Sequence, residues 1–244
     1  SVACPGPLDS KNGVILNTPN LTLFRNYALK DKLREYFNCK IVIENDANLF
    51  ALGEWFLSHQ EERVFIGVTL GTGLGFGLII NGEMFVGKNG MAAEYGMSHC
   101  EWGIWETRIS LKYLRDEIEK AYSEKLSPRI VEKYALNGDS KAKAIFDQFG
   151  ENVGLALSHA INMLDPGVIV FGGGLSQAFN VYKKTMTKEI KLTAMPTPNP
   201  NTIKFIVETQ FLEKGSIDFN HPEKAETSLL PKTLLDIKGV TGVM

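Results

Sequence analysis

Residues Val64 to Ile80 read Val-Phe-Ile-Gly-Val-Thr-Leu-Gly-Thr-Gly-Leu-Gly-Phe-Gly-Leu-Ile-Ile. An apolar, β-branched stretch enters a turn with glycine at 71, 73, 75 and 77, and a second apolar stretch leaves it. Glycine lets backbone N–H groups converge where a Cβ would block them, which suits phosphate oxygens. Thr72 adds a hydroxyl at the centre. The run continues into Asn81-Gly82 and then Glu83-Met84-Phe85-Val86. Asn-Gly between short apolar runs is a strong hairpin signal, so the chain leaves the glycine turn as a strand. A dinucleotide fingerprint would need a helix there, and a Walker loop would need Gly-Lys-Ser/Thr. Two readings compete: a phosphate cradle, or a tight hairpin whose glycines serve geometry alone.

Outward from this run the chain alternates strands and helices. Upstream, Val14-Ile15-Leu16 reads as a short strand and Tyr27 to Phe37 as an amphipathic helix, with Leu29, Leu33 and Phe37 at four-residue spacing. Lys40 to Ile43 reads as a buried strand, passing through Glu44-Asn45-Asp46 into a helix from Ala47 to Leu57. Downstream, a Gly-, Asn- and Ala-rich loop runs from Gly87 to Gly96. Ile109 to Tyr122 and Ala142 to Leu164 have helical periodicity. Asp165-Pro166-Gly167 stops the second of these before the buried strand Val168 to Phe171. Gly172-Gly173-Gly174 opens a helix over Leu175 to Ile190, and a strand is expected at Ile203 to Val207. Residues 212–228 are polar, as in a loop or insertion. The pattern implies an α/β fold with a mixed sheet.

Composition narrows the function classes. The 244 residues are 44% hydrophobic and 22% charged, with net charge −2, which suits a globular chain with a substantial core and argues against a nucleic-acid surface. No apolar run is long enough for a transmembrane helix. Three widely spaced cysteines (Cys4, Cys39, Cys100) suit reduced thiols in a cytoplasm, and no signal-peptide pattern is present. The chain opens inside a strand without a methionine, which reads as a fragment or as a chain that has lost its start.

Four places carry candidate chemistry. Asp46, with Asn45 beside it, stands where a strand hands over to a helix, the usual position for functional groups in α/β sheets; both residues are also good helix caps. Glu94 lies among small residues and could accept hydroxyl hydrogen bonds, or simply be a solvated loop glutamate. Glu106 follows Trp102-Gly103-Ile104-Trp105 and equally suits the first turn of a helix. Gly172 to Gly174 would let a nucleotide approach the backbone, or make room for close packing. His99-Cys100 has no CxxC or HxxxH partner, so no metal set is expected, and Gly-x-Ser-x-Gly is absent.

Taken in order, the pieces resemble the ROK family (repressors, open reading frames and sugar kinases) of the actin-like ATPase superfamily. The matching elements are Pro5-Gly6-Pro7-Leu8-Asp9, Glu44-Asn45-Asp46-Ala47-Asn48 with Gly53-Glu54, and Leu70 to Gly77. Asn81-Gly82, Gly87, Asn89-Gly90, Ala93-Glu94-Tyr95-Gly96 and Asp165-Pro166 to Gly174 follow in family order. The resemblance implies a ribonuclease H-like fold of two lobes: residues 1–60 as the remainder of the small lobe and 61–244 as the large one. It implies ATP-dependent phosphorylation of a hexose or N-acylated hexosamine, with Mg²⁺ accompanying the nucleotide. Asp46 would be the general base, and Asn45, Glu94 and Glu106 would bind sugar hydroxyls. Gly71, Thr72, Gly73 and Gly75 would hold phosphates, and Gly172, Gly173 and Gly174 would lie against the nucleotide. A homodimer is a family expectation.

Three departures stand out. The family's opening Asp-x-Gly-x-Thr loop has no match, so it lies upstream or the chain does not transfer phosphate unaided. Met97 takes the place of a histidine, and Ser98-His99-Cys100-Glu101-Trp102-Gly103 replaces a cysteine-rich zinc loop, so no structural zinc is expected. Residues 212–238 add polar sequence before Gly239-Val240-Thr241-Gly242, an echo of the family's terminal helix. The other reading that the resemblance allows is the sugar-sensing domain of a transcriptional repressor.

Overall fold

The computed structural model describes residues 1–18 and 22–188, and the backbone of two further strands, Leu192–Pro196 and Ile203–Val207. Strand β1 (Val2–Cys4) runs into the Pro5-Gly6-Pro7 turn, and β2 (Leu8–Asp9) pairs antiparallel with β3 (Val14–Ile15). Helix α1 covers only Leu29–Arg34. The helix expected over 27–37 is shorter because Tyr27 is tied by backbone bonds to Ile15, while Tyr36 and Phe37 are exposed, with no apolar surface to hold a further turn. Strand β4 is Ile43–Asn45, three residues later than the β-branched run suggested. Its backbone pairs in parallel with β1, Val2 opposite Ile43 and Cys4 opposite Asn45, so ladder bonds rather than side-chain type set its limits. Val42 is exposed and precedes it.

Helix α2 (Asp46–Ser58) follows without a loop, and β5 (Val64–Leu70), β6 (Leu74–Ile80) and β7 (Glu83–Met84) form the antiparallel meander read from the sequence. A small hairpin, β8 (His99–Cys100) with β9 (Gly103–Ile104), leads through α3 (Leu111–Tyr122) and α4 (Pro128–Leu136) to the long α5 (Ser140–Leu164). The nine-residue α4 has no counterpart in the sequence reading. Helix α5 starts on Asp139, whose carboxylate accepts the Ala142 N–H, and stops where Asp165 turns left-handed, at the Asp-Pro-Gly signal. Strand β10 (Val168–Gly172) is buried throughout. The helix expected over 175–190 is a 3-10 turn, Ser176–Ala178, followed by α6 (Phe179–Met186); residues 189–190 lie outside the described residues. Strands β11 (Leu192–Pro196) and β12 (Ile203–Val207) complete a six-stranded mixed sheet in the order β11-β12-β10-β5-β6-β7, with β10 and β5 parallel. Residues Ser1–Glu208 make one compact unit. Residues 212–238 and Gly239 to Gly242 fall outside the described residues.

Burial alternates along β5 as a two-faced strand requires. Ile66, Val68 and Leu70 point into the larger core with α3, α4, α5 and α6, while Phe65 points to the opposite face with Ala51 and Val168. Helix α2 lies on that second face, and the glycines let it approach. A Cβ on Gly67 would stand 2.7 Å from Ala51 Cα, and one on Gly77, its cross-strand partner, 2.4 Å from the Ala47 carbonyl oxygen. Two facing glycines thus flatten the sheet where Ala47 and Ala51 sit. No helix among the described residues is long and apolar enough to cross a membrane.

Candidate active site

Loops leaving the carboxyl ends of parallel strands converge on one cleft of about 710 Å³. Pro5 to Pro7 follow β1, Asn45 and Asp46 end β4, Gly71 to Gly73 follow β5, and Gly173 follows β10. This is where open α/β sheets gather functional groups, because neighbouring parallel strands deliver their loops to the same edge. Ala92, Ala93, Glu94 and Glu106 close the cleft from the other side.

Asn45 is the helix cap, and the other end of its amide is left facing the cleft. Its side-chain oxygen accepts the Asn48 N–H at 3.1 Å, which caps α2. With the oxygen committed, the amide nitrogen is what faces the cleft, and it lies 2.9 Å from where a Gly6 Cβ would be. Glu94 Oε1 stands 2.4 Å from the same point. Gly6 therefore leaves room for a donor and an acceptor side by side. Asp46 uses Oδ1 to accept the Ala47 N–H at 2.9 Å; Oδ2 has no hydrogen-bond partner among the described residues. A carboxylate half anchored to a helix N-terminus keeps one oxygen fixed in direction.

Glu94 and Glu106 are both referenced to α5. Tyr95, next to Glu94, donates its hydroxyl to the Ala156 carbonyl at 2.9 Å, and Asn152 donates its amide to the Arg108 carbonyl, two residues past Glu106, at 3.3 Å. Gly96 lets this turn lie against β6, since a Cβ there would be 2.4 Å from the Leu74 carbonyl. Glu106 is drawn to the glycine turn: its Oε2 accepts the Leu74 N–H at 3.2 Å and occupies the space a Gly73 Cβ would need. Burial pushes the Glu94 carboxyl above the usual glutamate range, and the negative charges of Asp46 and Glu106 push it further. Raised in the folded state, this group contributes stability at acid pH that is lost as pH rises through its folded value. A hydroxyl donor would impose the opposite sign, because an ionised carboxylate is the better acceptor. Affinity for a polyol should fall on acidification, starting at higher pH than an ordinary glutamate titrates. The Michaelis constant against pH checks this. An acid limb that persists unchanged in Glu94→Gln would assign it to another group.

The four alternate glycines divide in two. Gly75 and Gly77 lie in β6; a Cβ on Gly75 would be 2.8 Å from Ala47 Cβ, so both seat α2, although Gly75 also lines the cleft. Gly71 and Gly73 lie in the turn. Among the described residues no atom lies within 4 Å of where a Gly71 Cβ would stand, and the N–H groups of Thr72 and Gly73 find no acceptor. The later glycines divide similarly. Gly172 is buried, its Cβ position 2.5 Å from the Phe50 ring, whereas Gly173, left-handed at φ 87°, lines the cleft and Gly174 is open. The sequence reading gave no role to Gly6, Asn17, Arg25 or Met91, all of which line the cleft, as does Met97, which it set in the place of a family histidine. The Pro5-Gly6-Pro7 motif was a signal for the first; local pattern carried none for Arg25.

A fold and cleft of this kind define an actin-like α/β protein with a glycine turn facing a strand-to-helix carboxylate. The ROK family model matches residues 1–217, and the chain belongs to the ROK family. It is 28% identical to the glucokinase of Thermotoga maritima, over 80% of this chain and 70% of that protein. It is 29% identical to the N-acetyl-D-glucosamine kinase of Photobacterium profundum, over 83% and 74%. The crystal structure of a ROK family glucokinase from Streptomyces griseus in complex with glucose and AMPPNP superposes with a TM-score of 0.67 at 27% identity, covering 76% of this chain and 70% of that one. A second family model, scaffold protein Nfu/NifU N terminal, matches residues 192–244 and overlaps the end of the first.

Proposed function

We propose that this chain carries the sugar site and one phosphate loop of an ATP-dependent sugar kinase, in which a hydroxyl of a hexose or N-acylated hexosamine attacks the γ-phosphorus. The observation that carries the reading is Asp46 with one oxygen that has no partner among the described residues, in the same cleft as two N–H groups of the glycine turn that find no acceptor among them. Phosphoryl transfer asks for positioning and charge stabilisation more than covalent chemistry, and this cleft offers both. Asp46 Oδ2 takes the proton of the attacking hydroxyl. Asn45 donates to, and Glu94 and Glu106 accept from, the remaining hydroxyls. Thr72 and Gly73 present backbone donors to the phosphates, with Gly173 and Gly174 open beside them and Gly75 behind the turn. The likeness to glucokinases and N-acetylglucosamine kinases supports the reaction class.

ATP suits the turn, since space at Gly71 and two N–H groups with no acceptor among the described residues are what a phosphate needs. Among the described residues no three His, Cys, Asp or Glu side chains gather as a metal set. Mg²⁺ is proposed to accompany the nucleotide, as the family resemblance implies, where it would neutralise the phosphates. Residues 1–60 and the part from 61 onward are proposed as the two lobes, and pairing of two copies stays a family expectation. The test is a panel of hexoses and N-acylhexosamines with ATP. ADP release dependent on one sugar is expected, and sugar binding without ADP release would overturn the kinase reading.

A further inference from the structure

Strand β5 ends on a side chain that has no task in that scheme. From Phe65 to Leu70 every residue is buried except Thr69, which lines the cleft. Its hydroxyl has no hydrogen-bond partner among the described residues, yet it is not walled off, so it opens onto the cleft. Both neighbours across the sheet are glycine, Gly75 on β6 and Gly172 on β10. Thr69 is therefore the one side chain in that row of the three strands. A Cβ on Gly75 would stand 2.5 Å from Thr69 Oγ1 and 2.8 Å from Ala47 Cβ, and one on Gly172 would stand 2.5 Å from the Phe50 ring. The bare row seats α2, and Thr69 Oγ1 lies against its first turn, beside the residue that follows Asp46.

From this we infer that the Thr69 hydroxyl donates a hydrogen bond to the γ-phosphoryl group of ATP, between the glycine turn and Asp46. The inference rests on the sugar-kinase reading above and adds a contact to it. Two residues on from Thr69 the chain enters the turn, whose Thr72 and Gly73 N–H groups find no acceptor among the described residues. On the other side its partner Gly172 leads into left-handed Gly173, which lines the cleft. Facing it, the first turn of α2 carries Asp46. Thr69 thus stands where the two phosphate-facing loops meet the helix that bears the base. The groups that face sugar hydroxyls, Asn45 and Glu94, converge instead at Gly6. A neutral hydroxyl donating to a charged phosphoryl oxygen makes a stronger bond than one donating to a sugar hydroxyl. Thr69 keeps its proton throughout, so the proton of the attacking hydroxyl still goes to Asp46. Strand formation does not ask for the oxygen, since valine has the same branching and suits a strand as well.

The test is calorimetric titration of the full chain with the non-transferring analogue AMPPNP and with ADP, both with Mg²⁺, so that it does not depend on turnover. The wild type is expected to bind AMPPNP more tightly than ADP. Thr69→Val should cut that preference about tenfold or more, the usual loss of a hydrogen bond to a charged group, by weakening AMPPNP alone. Thr69→Ala removes the oxygen by a second route and should show the same loss, whereas Thr69→Ser should restore most of the preference. Affinities for glucose and N-acetylglucosamine should not move in any of the three. An unchanged preference in the valine and alanine variants would overturn the inference. So would an equal loss for both nucleotides, a loss of sugar affinity in its place, or a wild type that does not tell AMPPNP from ADP. A preference that depends on the Thr69 hydroxyl, in a chain that phosphorylates no sugar, would sustain the inference while defeating the kinase reading.

Discussion

Replacing Asp46 by asparagine is expected to lower the turnover number about 10²–10⁴-fold, the usual contribution of a positioned general base, while sugar binding survives. The asparagine oxygen can still accept the Ala47 N–H that Asp46 holds at 2.9 Å, so the start of α2 is kept. What is lost is the second oxygen, replaced by an amide that donates. The expected signature is a fall in kcat with the sugar dissociation constant within a few-fold of the wild type, measured by steady-state kinetics and calorimetry on the same preparation. Turnover at the wild-type rate would remove Asp46 from the chemistry. A parallel loss of sugar affinity would make it a binding residue instead.

The second large effect separates the two jobs of the glycine run. Gly77→Ala should destabilise the fold by about 1–3 kcal/mol or more, since overpacking a well-filled interface costs that much and the obstacle here is backbone. The new methyl would meet the Ala47 carbonyl oxygen at 2.4 Å and Ala51 Cβ at 2.5 Å. In a unit of this size each kcal/mol lowers the melting temperature by roughly 2–4 °C. Gly71→Ala should leave stability within about 0.5 kcal/mol, because nothing lies within 4 Å of its Cβ position, and instead raise the Michaelis constant for ATP as the methyl enters the phosphate approach. Thermal unfolding and ATP kinetics on both variants give a double dissociation. A Gly71→Ala enzyme with unchanged ATP kinetics would leave the turn with a geometric role only.

These variants also show how much was legible in the chain. Alternating glycines are visible in sequence, but their division into Gly71 and Gly73 for the turn and Gly75 and Gly77 for α2 depends on what stands opposite each. That is a long-range fact, set by Ala47 and Ala51 some thirty residues earlier. The strands β5, β6 and β10 and the helix α5 were readable because their apolar periodicity and stop signals are local. Strand β4 was displaced because its limits are set by pairing with β1, which a β-branched run does not report. Helix α4 is amphipathic, with Val131 and Ala135 buried four residues apart, but at nine residues it is too short for its period to stand out. At the site, position and neighbours singled out Asp46 and Glu94 but left a cap and a solvated glutamate as equal or better readings until the family resemblance was added, whereas Arg25, beside the bridge from Tyr27 to Ile15, carried no local signal. Gly239 to Gly242, an apparent echo of the family's last helix, falls within a match to a different family over residues 192–244, and four residues cannot distinguish the two sources.

The side chain of Asn45 joins two properties that proteins usually adjust separately. Its oxygen starts α2 and its nitrogen borders the ligand space beside Glu94. Aspartate, serine or threonine could take over the helix start, but each would present something other than an amide N–H to the cleft. Glutamine could supply the N–H but is a poorer cap. The route open to most surface helices, raising stability by improving the cap, is therefore closed at this position without a change in what the cleft recognises. Gains in thermal resistance for this fold have to be sought away from residue 45.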